Sequence, residues 1–155
     1  MIIMTKDKEK ATFAAGCFWG VQALFDKLTG VISTRVGYTG GHVENPSYQQ
    51  VCKGDTGHAE AVEIIYNPAE INYQDLLEIF WENHNPTTPN QQGANIGEQY
   101  RSAVFYHNPS QKEAADKMKD KLNNSQQYDQ PIVTEITKAE TFYQAEEYHQ
   151  HYLKK

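Results

Sequence analysis

The chain has 155 residues, a formal net charge of −6 and two cysteines, Cys17 and Cys52. That length suits one domain, and no Pro/Ser-rich linker, internal repeat or low-complexity tract divides it, so 1–155 is expected to be a single domain. An acidic balance with one lysine cluster, Lys117, Lys119 and Lys121, argues against nucleic-acid or anionic-membrane partners, and the cysteine spacing fits neither a disulfide scaffold nor a zinc site.

At the start of the chain, Met1-Ile2-Ile3-Met4 is too short for a signal-peptide core, and no run approaches the roughly 20 apolar residues of a transmembrane helix, so a cytoplasmic location is expected. Ala11 to Ala15 can run as a strand. It leads into Gly16-Cys17-Phe18-Trp19-Gly20, a lone cysteine between glycines and two aromatics. Val21, Leu24, Phe25 and Leu28 then recur at helical spacing, which makes Cys17 roughly the first residue of a helix. Unpaired N–H groups and the helix dipole stabilise an anion there, so the thiol is expected to titrate below its reference of about 8.5 and to be nucleophilic. The alternative is a small buried cysteine packed near a tight turn.

Val31 to Tyr38 is β-branched enough for a strand, and Thr39-Gly40-Gly41-His42 ends it. Pro46-Ser47 opens one or two helical turns over Tyr48 to Cys52, and Ala59 to Tyr66 is a strand stopped by Pro68. Asn72 with Asp75 marks a helix start, with Leu76, Leu77, Phe80 and Trp81 as its apolar stripe to about Asn83. His84 to Gly97 is loop-like, and a loop of that length in a compact domain is more often functional than accidental. Tyr100 to Tyr106 is a strand. Asn108-Pro109 caps a helix through about Leu122 with Ala114, Ala115, Met118 and Leu122 inward, and Ile132 to Thr137 is the last strand. Ala145 to Leu153 is a short helix or docked tail, given its aromatic content. The order β-α-β-β-α-β-α-β implies helices packed on a mixed sheet, an α+β fold in two layers.

Gly16-Cys17-Phe18-Trp19-Gly20, then Val36 to Gly41, Tyr48 to Val62, Gln99 to Ser102 and Phe142 to His149, in that order, resemble the peptide methionine sulfoxide reductases of the A class. The resemblance covers nearly the whole chain and implies a ferredoxin-like two-layer α/β sandwich. It also implies reduction of the S epimer of methionine sulfoxide, free or in proteins, as repair after oxidative damage. Reducing a polarised S=O bond with a thiol needs attack at sulfur and a proton for the departing oxygen. By this resemblance Cys17 is the nucleophile, Glu60 the proton donor, and Tyr48 and Tyr100 hydroxyl donors to the sulfoxide oxygen. Phe18 and Trp19 form the pocket for the substrate methyl, and Asn95 helps to organise the substrate site. Strand alternation independently puts Glu60 on the face of Val62 and Ile64, where desolvation would raise its pKa, although apolar Ala61 and Ile65 blur the pattern and leave a solvated Glu open.

Attack leaves Cys17 as a sulfenic acid. Many bacterial members resolve it with cysteines in a Gly-rich tail, whereas no cysteine follows Cys52 here. Either an external thiol, thioredoxin or a small one, attacks the sulfenate, which is the favoured reading, or Cys52 is the resolving cysteine. Asn95 and Asn85 stand where the family often has Asp. Thiols carry all the electrons, so no cofactor and no metal are expected, and the enzyme is expected to act as a monomer. Two competing readings remain: a cysteine hydrolase pairing Cys17 with His42, His58 or His84, and a metal-binding domain using His149 and His151.

Overall fold

The computed structural model describes residues 8–155; the Met1–Met4 run lies outside them. Strand β1 (Glu9–Ala15) enters the helix α1 (Phe18–Asp26), β2 spans Val31–Thr39, and a short helix α2 (Tyr48–Cys52) precedes β3 (Ala59–Tyr66). Then come α3 (Tyr73–Glu82), a minimal hairpin of β4 (Gln91–Gln92) and β5 (Asn95–Ile96), and β6 (Ser102–Tyr106). Helix α4 (Pro109–Asn123), β7 (Glu135–Lys138) and β8 (Tyr143–Gln144) complete the elements, with two single 3₁₀ turns in the tail. The six-stranded sheet has the order β7-β6-β1-β3-β2-β8. Among the described residues only β6 and β7 pair in parallel, so the sheet is mixed, as expected.

The helix starts follow their sequence signals. Asn72 and Asp75 form a reciprocal capping box on α3, Ser47 and Gln50 do the same on α2, and Asn108 caps α4 with Pro109 at its first position. Pleating sends alternate residues of each strand to opposite faces. Ala11, Phe13, Val62, Ile64 and Val104 join Phe25, Leu76, Phe80 and Trp81 in the main core beneath the helices. Phe13 stacks on both Phe25 and Phe80, at 5.6 and 4.9 Å between ring centres. Ala14, Ala59, Ala61, Ala103 and Phe105 form a second apolar cluster on the reverse face with Phe142 and Ala139. This second cluster explains why the alternation in β3 is blurred: both faces are buried.

Four boundaries differ from the sequence reading. Helix α1 stops at Asp26, because Leu28 and Val31 close tight turns onto the Phe25 and Leu28 carbonyls and Gly30 takes φ +99° against Ile71. The loop after α3 contains the β4–β5 hairpin. Tyr100 is not in a strand: Gly97, at φ +142°, starts a 3₁₀ turn over Glu98–Tyr100, and β6 begins at Ser102. The final strand begins at Glu135, since the Ile132 N–H is taken by Asn123 and the Val133 N–H by the Pro86 carbonyl. Among the described residues no helix is long and apolar enough to cross a membrane.

Candidate active site

Cys17 is the N-cap of α1, one position before the helix, with φ −57° and ψ 122°. Gly16 before it has φ +94°, and a Cβ there would lie 2.7 Å from the Gln92 side chain, so only glycine lets the strand turn into the helix beneath that glutamine. The thiol is partly shielded, and its pKa is raised, contrary to the sequence expectation. Burial is the largest cause. The Trp19 and Gly20 N–H groups pull the other way, as a helix N-terminus should, but the nearby Glu60 charge works with burial against the thiolate.

Glu60, in β3, one of the two central strands, is 1% exposed. Its Oε1 accepts the Phe18 N–H at 3.2 Å, which ties the carboxyl to the first turn of α1, while its Oε2 is buried with no hydrogen-bond partner. Burial pushes its pKa up to about 7, only partly opposed by the Phe18 bond, so near neutrality it is about half protonated. A single N–H tether on a desolvated carboxyl is the arrangement of an acid kept ready rather than of a structural ion pair.

Tyr48 heads α2, and the elements converge through it. Its N–H donates to Glu146 Oε2 at 3.0 Å and its ring lies 4.5 Å from that of His149. The Tyr48 hydroxyl is pushed up by burial first and then by the Cys52 sulfur beside it and by Glu60. Tyr100 is raised by burial and by Glu60, Cys52 and Cys17 together. Both hydroxyls therefore remain protonated donors across the physiological range. Cys52, a helical turn beyond Tyr48, is exposed, and both it and the partly shielded Cys17 are uncrosslinked. The sequence-predicted Cys17, Glu60, Tyr48, Tyr100 and Cys52 are thus brought into one neighbourhood.

The aromatic wall is larger than Phe18 and Trp19. Phe18 is buried against Tyr38 and His149, at 5.7 and 5.3 Å, whereas Trp19 stacks on Tyr152 at 3.9 Å. Trp19 Nε1–H donates to His149 Nδ1 at 2.9 Å, which makes Nε2 the protonated nitrogen of a neutral ring whose pKa burial lowers. That Nε2 is buried and unpartnered. His149 is therefore a walled-in part of the site and not an exposed tail histidine; His151 sits apart, its Nδ1 2.7 Å from Asp26 Oδ2.

Glu146 and Tyr38 were not legible from sequence. Tyr38 donates to Glu146 Oε1 at 2.9 Å; burial opposes ionisation of Glu146, but bonds from the Tyr48 N–H, its own N–H and Tyr38 hold its pKa below the usual value. The carboxylate so formed clamps α2, β2 and the tail together. Gln150 completes the clamp by accepting the Val36 N–H and donating to the Val36 and Ala145 carbonyls, as a neighbouring strand would.

Asn95 lies exposed in β5, opposite Gln92 across the hairpin. The hairpin reaches the cysteine turn through Gln92, not through Asn95. Two of the three histidines of the hydrolase reading are engaged elsewhere: His58 accepts from Gly41 N–H and pairs with the Val43 carbonyl, and both nitrogens of His84 are bonded, to Phe80 and Ser102.

The sequence model of the family described as peptide methionine sulfoxide reductase matches residues 9–155. A peptide methionine sulfoxide reductase MsrA of Methanothermobacter thermautotrophicus is 57% identical over 147 residues, covering 95% of this chain and 87% of that one. One of Geobacter metallireducens is 52% identical over 151 residues, covering 97% and 93%. Among solved structures, reduced Mxr1 from Saccharomyces cerevisiae aligns with TM-score 0.91 and 35% identity over 97% of this chain and 87% of its own. Methionine sulfoxide reductase A of Corynebacterium diphtheriae aligns with TM-score 0.84 and 34% identity over 96% and 74%. A complex of Mxr1 with Trx2 aligns at 23% identity and TM-score 0.68, a likeness of fold. With a family match over nearly its whole length and relatives above half identity, the chain belongs to the peptide methionine sulfoxide reductase family.

Proposed function

We propose that this chain is a peptide-methionine (S)-S-oxide reductase in which Cys17 attacks the sulfoxide sulfur and Glu60 supplies the proton. The observation that carries the assignment of roles is the Glu60 carboxyl, 1% exposed, tethered by one oxygen to the Cys17 helix and with the other oxygen free. The substrate sulfur gains two electrons and the Cys17 sulfur loses two. Attack joins the Cys17 sulfur to the substrate sulfur while Glu60 protonates the S=O oxygen; the resulting hydroxyl passes to the Cys17 sulfur as the S–S bond breaks, so that methionine is released and Cys17 becomes a sulfenic acid. The hydroxyls of Tyr48 and Tyr100 donate to the developing oxyanion. Phe18 and Trp19 receive the substrate methyl, which sets the preference for one epimer at sulfur. Asn95, on the exposed hairpin, serves the outer rim where the rest of the substrate lies.

Regeneration uses an external thiol: it attacks Cys17–SOH, water leaves, and a second thiol breaks the mixed disulfide. Thioredoxin is the reductant favoured here, since a relative of the same fold, Mxr1, was solved with Trx2; a small thiol is the alternative. We place the enzyme in the cytoplasm, acting as a monomer, where reductants of this kind keep thiols free. Mixing reduced protein with the S epimer and no reductant, then counting methionine and remaining thiols, tests the scheme. One methionine and one thiol lost per chain is expected; loss of both thiols makes Cys52 the resolving cysteine, and no methionine overturns the activity.

A further inference from the structure

We propose that His84 and Ser102 clasp the two ends of the loop bearing Tyr100 and are positioning residues for the reaction; this rests on the sulfoxide-reductase reading above. The loop leaves the end of α3 at His84 and rejoins the sheet at Ser102, the first residue of β6. Those two residues meet at 2.7 Å between His84 Nε2 and Ser102 Oγ. Ser102 Oγ is in turn 2.7 Å from Thr134 Oγ1, which accepts Trp81 Nε1–H at 3.0 Å; at the other end His84 Nδ1 lies 2.6 Å from the Phe80 carbonyl.

With His84 neutral, the ends fix the direction of every bond. An indole can only donate and a peptide carbonyl can only accept. Trp81 therefore donates to Thr134, Thr134 to Ser102, Ser102 to His84 Nε2, and His84 Nδ1–H to Phe80. This order requires a neutral imidazole, in keeping with a His84 pKa held down to about 4, chiefly by burial. Trp81, Ser102 and Thr134 are buried, so each member lost leaves an orphaned polar atom away from water.

What the clasp holds flanks Cys17. At its return end the loop carries Tyr100, two residues before Ser102, whose hydroxyl lies in the field of Glu60 and Cys17. At its tip it carries Gln92, whose amide bonds both the N–H and the carbonyl of Asn85 at 2.8 Å and whose stem covers Gly16. None of the clasp residues contacts the reacting atoms; they act by placing Tyr100.

The test is a cycle in the intact protein. Ser102→Ala is expected to lower kcat for reduction of the S epimer about tenfold with KM nearly unchanged, since misplacing a transition-state donor costs rate rather than binding. In a Tyr100→Phe background the same change is expected to cost less than about twofold, because the hydroxyl it positions is already gone. Should Ser102→Ala not fold, Thr134→Val breaks the relay with the shape kept, and Thr134→Ser, which retains the hydroxyl, is expected to restore the parent kcat. Equal losses in the two backgrounds, or a Thr134→Ser protein as slow as Thr134→Val, overturn the positioning role alone. A parent protein that releases no methionine overturns the underlying activity as well.

Discussion

Replacing Glu60 by Gln separates the acid from its surroundings, because the amide oxygen can still accept the Phe18 N–H while the group no longer titrates. The folded carboxyl holds its proton to about pH 7, against an ordinary value of 4.5. Between those values the folded chain binds more protons than the unfolded one. The stability that the protonated Glu60 contributes is therefore complete below about 4.5 and lost as pH rises through about 7. The full displacement is worth about 3 kcal/mol, and the Gln variant should gain most of it on the parent between pH 5 and pH 8. Urea denaturation at the two pH values reads this directly.

Single-turnover rates should move the opposite way. On the proposed roles, reaction needs neutral Glu60 and ionised Cys17, and the thiol titrates above its ordinary value. In the parent, kcat/KM should rise with pH to about 7, stay level while loss of Glu60-H offsets gain of thiolate, and fall above the thiol pKa. Glu60→Gln should be slower by about a hundredfold or more near neutrality and should keep rising until the thiol has ionised. With the Glu60 charge gone, that ionisation should also shift to lower pH, which alkylation of Cys17 by iodoacetamide reports. A stability gap that is the same at pH 5 and pH 8, or a Gln variant with the parent's rate at pH 7, would refute the reasoning.

Tyr48→Phe and Tyr100→Phe should each lower kcat by about tenfold to a hundredfold while the proteins stay folded, as steady-state assays and thermal melting will show. Trp19→Phe removes the donor to His149 Nδ1 and frees that ring to change tautomer; an increase of about fivefold in KM, with a smaller change in kcat, is expected. Gly16→Ala should destabilise the protein by about 1–2 kcal/mol in urea titration, since it combines φ +94° with a close approach to Gln92. Asn95→Asp should alter KM or its pH dependence only modestly, and a large gain in rate would show that Asn95 impairs this chain.

Helix caps and strands were readable because each is written locally: Asn72 with Asp75, Asn108 with Pro109, and the β-branched runs from Val31 and Ala59 all formed elements where their side chains indicated. Cys17 shows where local reading stops. The helix terminus lowers a thiol pKa by itself, and the Trp19 and Gly20 N–H groups do act in that sense. The outcome is reversed by burial and by Glu60, which lies far away in sequence and arrives through the pairing of β3 with β1 and β2.

The tail carries the same lesson further, because its aromatic content predicts a docked segment but not which polar side chains hold it. Glu146, Gln150 and His149 occupy a segment with single 3₁₀ turns and no helical periodicity. Pattern therefore offered no face to assign them to. Each nonetheless pairs with a residue from the first third of the chain: Glu146 with Tyr38 and Tyr48, Gln150 with Val36, His149 with Trp19. Gly37 has no space for a Cβ beside the Tyr143 carbonyl and the Phe142 ring, so a residue in β2 fixes how closely the tail can lie. The tail thereby walls Phe18 and Trp19 with His149 and anchors α2, whose Tyr48 hydroxyl lies within the field of Glu60. Weakening it at a distance from Cys17, as Gln150→Ala would by orphaning the Val36 N–H and removing one of the two donors to the Val36 carbonyl, should loosen the methyl pocket and the Tyr48 donor together. KM should then rise and kcat fall in one variant, where Ser102→Ala changes kcat alone.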